Sequence, residues 1–141
     1  MTIDNRYWAG LFDGEGSIYI AKNLRTVQVI VTQKELPILF LLKNQFGGKI
    51  VKYKTQTCHK WRVASAGDIE KFLEAVAPHA IIKAVEIRTT LELIKGGWGR
   101  GRGYQPPMSP AEEARRQGLR DRLMADRADD KQVAETMSRE R

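Results

Sequence analysis

The hydrophobic positions of the chain change period several times, and each change marks an element. Tyr7, Trp8, Leu11 and Phe12 recur at three- and four-residue spacing. That predicts a first helix, capped by Asp4 or Asn5 and ended by Gly14 and Gly16. From Ser17 the period drops to two: Ile18 and Ile20 face one way, and Ser17, Tyr19, Ala21 and Asn23 the other. After a short turn, Arg25 to Lys34 alternates again, with Val27, Val29 and Val31 opposed to Thr26, Gln28, Ile30 and Thr32. Together these strands predict a hairpin with one greasy face and one mostly polar face.

Residues 35–46 are apolar almost all round. They predict a buried helix with Pro37 in its first turn and Gly47-Gly48 at its end. In the hairpin that follows, Val51 and Tyr53 are expected inward and Lys52 and Lys54 outward. After a turn at Thr55 to His59, Trp61 and Val63 are expected inward and Lys60 and Arg62 outward. Gly67-Asp68 opens a helix striped by Ile69, Phe72, Leu73 and Val76 and stopped at Pro78; another is expected from about His79 to Ile94. The order predicts an α+β fold, αββαββα, with a four-stranded antiparallel sheet covered by helices on one face and open on the other. Residues 1–95 are the expected core. Residues 96–108 read as a flexible Gly/Arg-rich linker with Arg100 and Arg102, and 109–141 as a charged helix with a frayed tail. The capping box Ser109-Pro110-Ala111-Glu112 opens that last helix.

Charge gives the open face a meaning. The net charge is +7 with a pI near 9.7, and Lys43 to Arg62 holds six basic residues and no acidic one. A polyanionic partner follows, nucleic acid before anionic membrane. The single Cys58 excludes an internal disulfide and any Cys-rich metal site. With no N-terminal signal, and with Leu36 to Leu42 too short to span a bilayer, a soluble protein is expected, in a reducing cytoplasmic-type compartment or an organelle matrix.

The chemistry concentrates at residues 8–18. Gly10 and Gly14 lie four apart on one helix face, where a second backbone can approach closely. If the second helix is its own copy, a two-fold axis brings two Glu15 carboxylates together as hard oxygen ligands for Mg²⁺. Asp13 and Glu15 could equally decorate a helix end, and the residue pattern leaves both readings open.

The stretch Trp8-Ala9-Gly10-Leu11-Phe12-Asp13-Gly14-Glu15-Gly16-Ser17-Ile18 resembles the signature of the LAGLIDADG homing endonucleases. The element order extends that resemblance to about residue 95. A single motif implies a homodimer, with Trp8, Gly10, Leu11, Asp13 and Gly14 at its interface. The resemblance further implies a site-specific double-strand DNA endonuclease using Mg²⁺ or Mn²⁺ on a long pseudo-palindromic target. Glu15 would be the metal-binding acid, with Gly14 lending its carbonyl. Val31-Thr32-Gln33-Lys34 and Pro78 to Glu86 match further family positions, making Gln33 the water-orienting residue and Lys83 the basic residue near the scissile phosphate. Where some members carry an Arg shortly after the Gln, Pro37 stands here, leaving that role to Lys34 or to none. Related proteins also serve as RNA-splicing maturases or as inactive DNA-binding regulators, which adds intron RNA as an alternative partner. The expected DNA-reading set is Tyr19, Asn23, Arg25, Thr26, Gln28, Ile30, Thr32, Lys52, Lys54, Lys60 and Arg62, since a two-stranded ribbon fits the major groove.

Overall fold

A computed structural model describes residues 3–53, 57–98 and 107–139, with side chains to residue 125. The chain divides into two compact units, Met1–Pro106 and Pro107–Arg141.

In the first unit, α1 (Asn5–Glu15) leads into strands β1 (Gly16–Ile20) and β2 (Val27–Gln33). Helix α2 (Leu36–Phe46) is followed by β3 (Lys49–Val51) and β4 (His59–Val63), then by α3 (Ala66–Val76) and α4 (Ala84–Lys95). The strands form one antiparallel sheet in the order β1-β2-β4-β3. The expected α+β architecture is therefore the one observed. The second unit is α5 (Pro110–Arg139), whose Ser109 hydroxyl accepts the Glu112 N–H at 3.2 Å. Its backbone stays helical through the stretch expected to fray, a run rich in good helix formers.

The core follows the alternation. Val27, Val29 and Val31 are buried with Ile18 and Ile20 on the helix side of the sheet. Phe72 of α3 is the hub above them: its ring lies 5.4 Å from Phe12 and 5.0 Å from both Phe46 and Trp61, edge to face in each case. The indole N–H of Trp61 donates to the Gly47 carbonyl at 2.8 Å. That of Trp8 donates to Gln45 Oε1 at 3.2 Å. Trp8 is fully buried, so it belongs to the protomer's own core and not to an interface with a second copy.

Four further expectations are corrected. Helix α2 is not buried all round: Leu39, Leu42 and Phe46 are, whereas Phe40 is 43% exposed, because only one face meets the sheet. Helix α4 begins at Ala84 rather than near His79; the Asp13 carboxylate described below arrests the preceding turns. Residues 96–98 are not linker, since Trp98 is buried and its indole N–H donates to the Leu24 carbonyl at 2.9 Å. Finally, the second hairpin is in the other register. Ile50 faces Trp61, while Lys49 pairs with Arg62 and Val51 with Lys60. A shift of one residue exchanges the two faces of a strand, so Val51 lies on the open face.

Candidate nucleic-acid interface

The end of α1 separates two acids by their surroundings. The Asp13 carboxylate accepts the backbone N–H groups of Ile81, Ile82 and Lys83 at 2.8, 3.2 and 3.1 Å. It thereby satisfies three donors of the turn that leads into α4, upstream of the helix's own first residue Ala84. The Lys83 ammonium returns the contact, donating to the Asp13 carbonyl at 2.7 Å with its charge 5.9 Å from the centre of the Phe12 ring. Asp13, expected at a dimer interface, thus uses its carboxylate inside the protomer. No local sequence signal announces this role, because the capped turn lies 68 to 70 residues away.

Glu15 is exposed, and no hydrogen bond or ion pair engages it among the described residues. The chain then enters β1 through Gly16, where a Cβ would run into the Phe12 ring. Gly10 and Gly14 differ. Both are exposed, and a Cβ at either would meet nothing within 4 Å. Nothing inside the protomer asks for glycine at those two positions, where it costs helix stability. Beside this face, Tyr7 is 53% exposed and Leu11 half-buried, and the turn held by Asp13 presents Ile81 and Ile82 at 85% and 72% exposure.

Gln33 ends β2, opposite His59. Its Oε1 accepts the Lys34 and Glu35 N–H groups at 2.8 and 3.4 Å, at the entrance to α2. Continuing the β1–β2 register beyond Gly16↔Val31 places Gln33 at the edge of the sheet where α1 ends. Glu15, Gln33 and Lys83 are therefore gathered at one end of the sheet.

The open face carries Tyr19 from β1, with Gln28, Ile30 and Thr32 from β2 and Lys60 and Arg62 from β4. It also carries Lys49, Val51 and Tyr53, which sequence reasoning placed elsewhere or passed over. Thr26, Asn23 and Arg25 lie at or beside the tip of the first hairpin, where Asn23 Oδ1 accepts the Arg25 N–H at 3.0 Å. Lys52 leaves the expected set. It points to the helix side, its ammonium 5.2 Å from the centre of the Phe40 ring. Lys54, Arg100 and Arg102 lie outside the described residues. Among the described residues, no three His, Cys, Asp or Glu side chains cluster as a metal site, and no helix is long and apolar enough to cross a membrane.

The four-stranded sheet thus presents a basic, partly aromatic outer face with a carboxylate at its end, a surface whose chemistry suits a polyanion. The family follows from sequence: the chain belongs to the LAGLIDADG endonuclease family, whose model matches residues 8–79. No curated protein matches the chain by sequence. Solved structures share the fold. The homing endonuclease I-CvuI, in complex with the I-CreI target and Mg, is 18% identical with a TM-score of 0.64, over 86% of this chain and 80% of its own. An archaeal intron-encoded homing endonuclease complexed with DNA is 17% identical with a TM-score of 0.52, over 82% of this chain and 95% of its own. The meganuclease I-SmaMI, bound to uncleavable DNA, is 16% identical with a TM-score of 0.61, over 84% of this chain but 44% of its own.

Proposed function

We propose that the protein is a homodimeric, divalent-cation-dependent endonuclease that cuts double-stranded DNA at a long pseudo-palindromic site. The observation that carries this reading is Glu15: an exposed carboxylate without a partner among the described residues, two positions after an acid fully engaged in capping. Its hard oxygens, with the carbonyl end of α1 beside them, suit Mg²⁺ or Mn²⁺. One protomer supplies a single carboxylate there, so the remaining ligands would be the Gly14 carbonyl, phosphate oxygens, water and the second copy of Glu15. A cation held there would polarise the scissile phosphate and favour hydroxide over water at neutral pH.

The chain's own residues prepare the rest. Lys83 places a positive charge at the end of α1, where negative charge develops in phosphodiester hydrolysis. Gln33, whose oxygen is held by two backbone amides, keeps its NH₂ donors for solvent. Gly10 and Gly14 form the exposed stripe on which two α1 helices would meet. The exposed apolar side chains of Ile81 and Ile82, tethered through Asp13, extend that surface. The open sheet face would follow the major groove, with Gln28 and Arg62 on base edges and Lys49 and Lys60 on phosphates.

The test is cleavage of DNA spanning the site at which its own coding sequence is inserted, in Mg²⁺ and in Ca²⁺, by wild type and Glu15→Gln. Specific binding by both proteins, with cutting by wild type in Mg²⁺ alone, is expected. Binding without cutting by either, or a preference for intron RNA, would overturn the reading. Sedimentation on the same duplex should give two protomers per site.

A further inference from the structure

The open sheet face is not wholly polar. A pocket of about 300 Å³ lies on it, lined by Tyr19, Ile30, Val51 and Tyr53, with Ile30 and Val51 on either side of the Lys60 and Arg62 positions of β4. Gln28, Lys60 and Arg62 complete the rim, and the Lys60 ammonium stands 6.0 Å from the centre of the Tyr53 ring. The register explains how the apolar pair arises. Arg62 sits between Ile30 of β2 and Lys49 of β3, and Val51 faces Lys60 one row along. Both apolar side chains are only half-buried in the protomer, so folding alone does not complete their burial.

We infer that this pocket reads the 5-methyl group of a thymine in the major groove, between the bases met by Gln28 and Arg62; the inference rests on the DNA-binding reading above. A surface that only neutralises phosphate gains nothing from an isoleucine and a valine among its basic residues. Among major-groove edges, one group alone is apolar: the thymine methyl. The neighbours fit a graded reading, since a glutamine amide pairs with adenine N6 and N7 and an arginine fork with guanine O6 and N7. The pocket therefore recognises a pyrimidine by its methyl, while its rim recognises flanking purines by hydrogen bonds.

The probe is a set of duplexes enriched from a randomised pool by full-length wild type, with each thymine replaced in turn by deoxyuridine. That replacement deletes one methyl group and leaves every hydrogen bond intact. At one thymine per half-site, affinity should fall about four-fold, the worth of one buried methyl. In Ile30→Ala and in Val51→Ala the same replacement should have little further effect, and the unmodified duplex should bind these variants about as weakly as the deoxyuridine duplex binds wild type. Enrichment without a methyl-sensitive thymine, or a sensitivity unchanged in both variants, overturns the pocket alone. Failure to enrich any duplex overturns the DNA reading and the pocket with it.

Discussion

The two faces of the sheet are made from alternate residues of the same strands, yet they answer to different demands. Trp61 and Arg62 are neighbours in β4. The first is wholly buried against Phe72 and fixed by the Gly47 carbonyl; the second stands on the open face between Ile30 and Lys49. Val29 and Ile30 repeat the contrast in β2. The inner face is selected by packing density, where every atom removed leaves a void. The outer face is free of that constraint and can vary with whatever lies against it. A protein of this design can change what it reads without changing how it folds.

The contrast can be broken most directly within β4. Trp61→Ala should cost about 3–5 kcal/mol in urea unfolding, since it removes a fully buried ring and an indole hydrogen bond. Arg62→Ala should leave the midpoint within about 0.5 kcal/mol of wild type while weakening specific DNA binding by about 1–3 kcal/mol. Equal losses of stability from both would remove the distinction between the faces.

The second test compares the two acids of α1. Asp13→Ala should destabilise by about 2 kcal/mol, because three N–H groups lose their acceptor. Glu15→Ala should leave thermal stability unchanged and abolish cutting. Stability loss at Glu15 would show that the carboxylate belongs to the fold.

The smallest effect sharpens the register. Lys49→Ala should lower the salt dependence of DNA binding by about one phosphate contact per protomer, and Lys52→Ala should leave it unchanged. The reverse result would restore the register that simple alternation suggests.

That register marks where the sequence was readable and where it was not. The first hairpin was legible because strands of five and seven residues carry an unbroken alternation, with a valine at every buried position of β2. Strand β3 has three residues, too few for a period to declare itself. Both Ile50/Lys52 and Val51/Tyr53 alternate acceptably. The choice is made by Trp61 across the strand and by Gly47 and Gly48, whose φ of 80° and 88° set the entry to the strand. Glu15 and the Gly10/Gly14 spacing were visible locally, as was the basic segment from Lys43 to Arg62. The role of Asp13 and the start of α4 were not, since an acceptor supplied from across the chain leaves no mark near the turn it holds. Trp98 was hidden by its company: among glycines and arginines it reads as linker, yet it closes the core.

The Trp98 contact has a consequence for the order of events during synthesis. The indole that holds Leu24 at the tip of the first hairpin lies 74 residues downstream, and the turn that engages Asp13 lies 68 to 70 downstream. At about 5–20 residues per second, an emerging chain waits about 4–15 seconds between making the hairpin and making its anchor. Until then the hairpin has its alternation but not its lock, and the helix end has its acids but not its clamp. The open sheet face and the end of α1 are thus completed late and nearly together, by residues 81 to 98. A nascent fragment that ends sooner holds most of the open-face residues without the contacts that fix them.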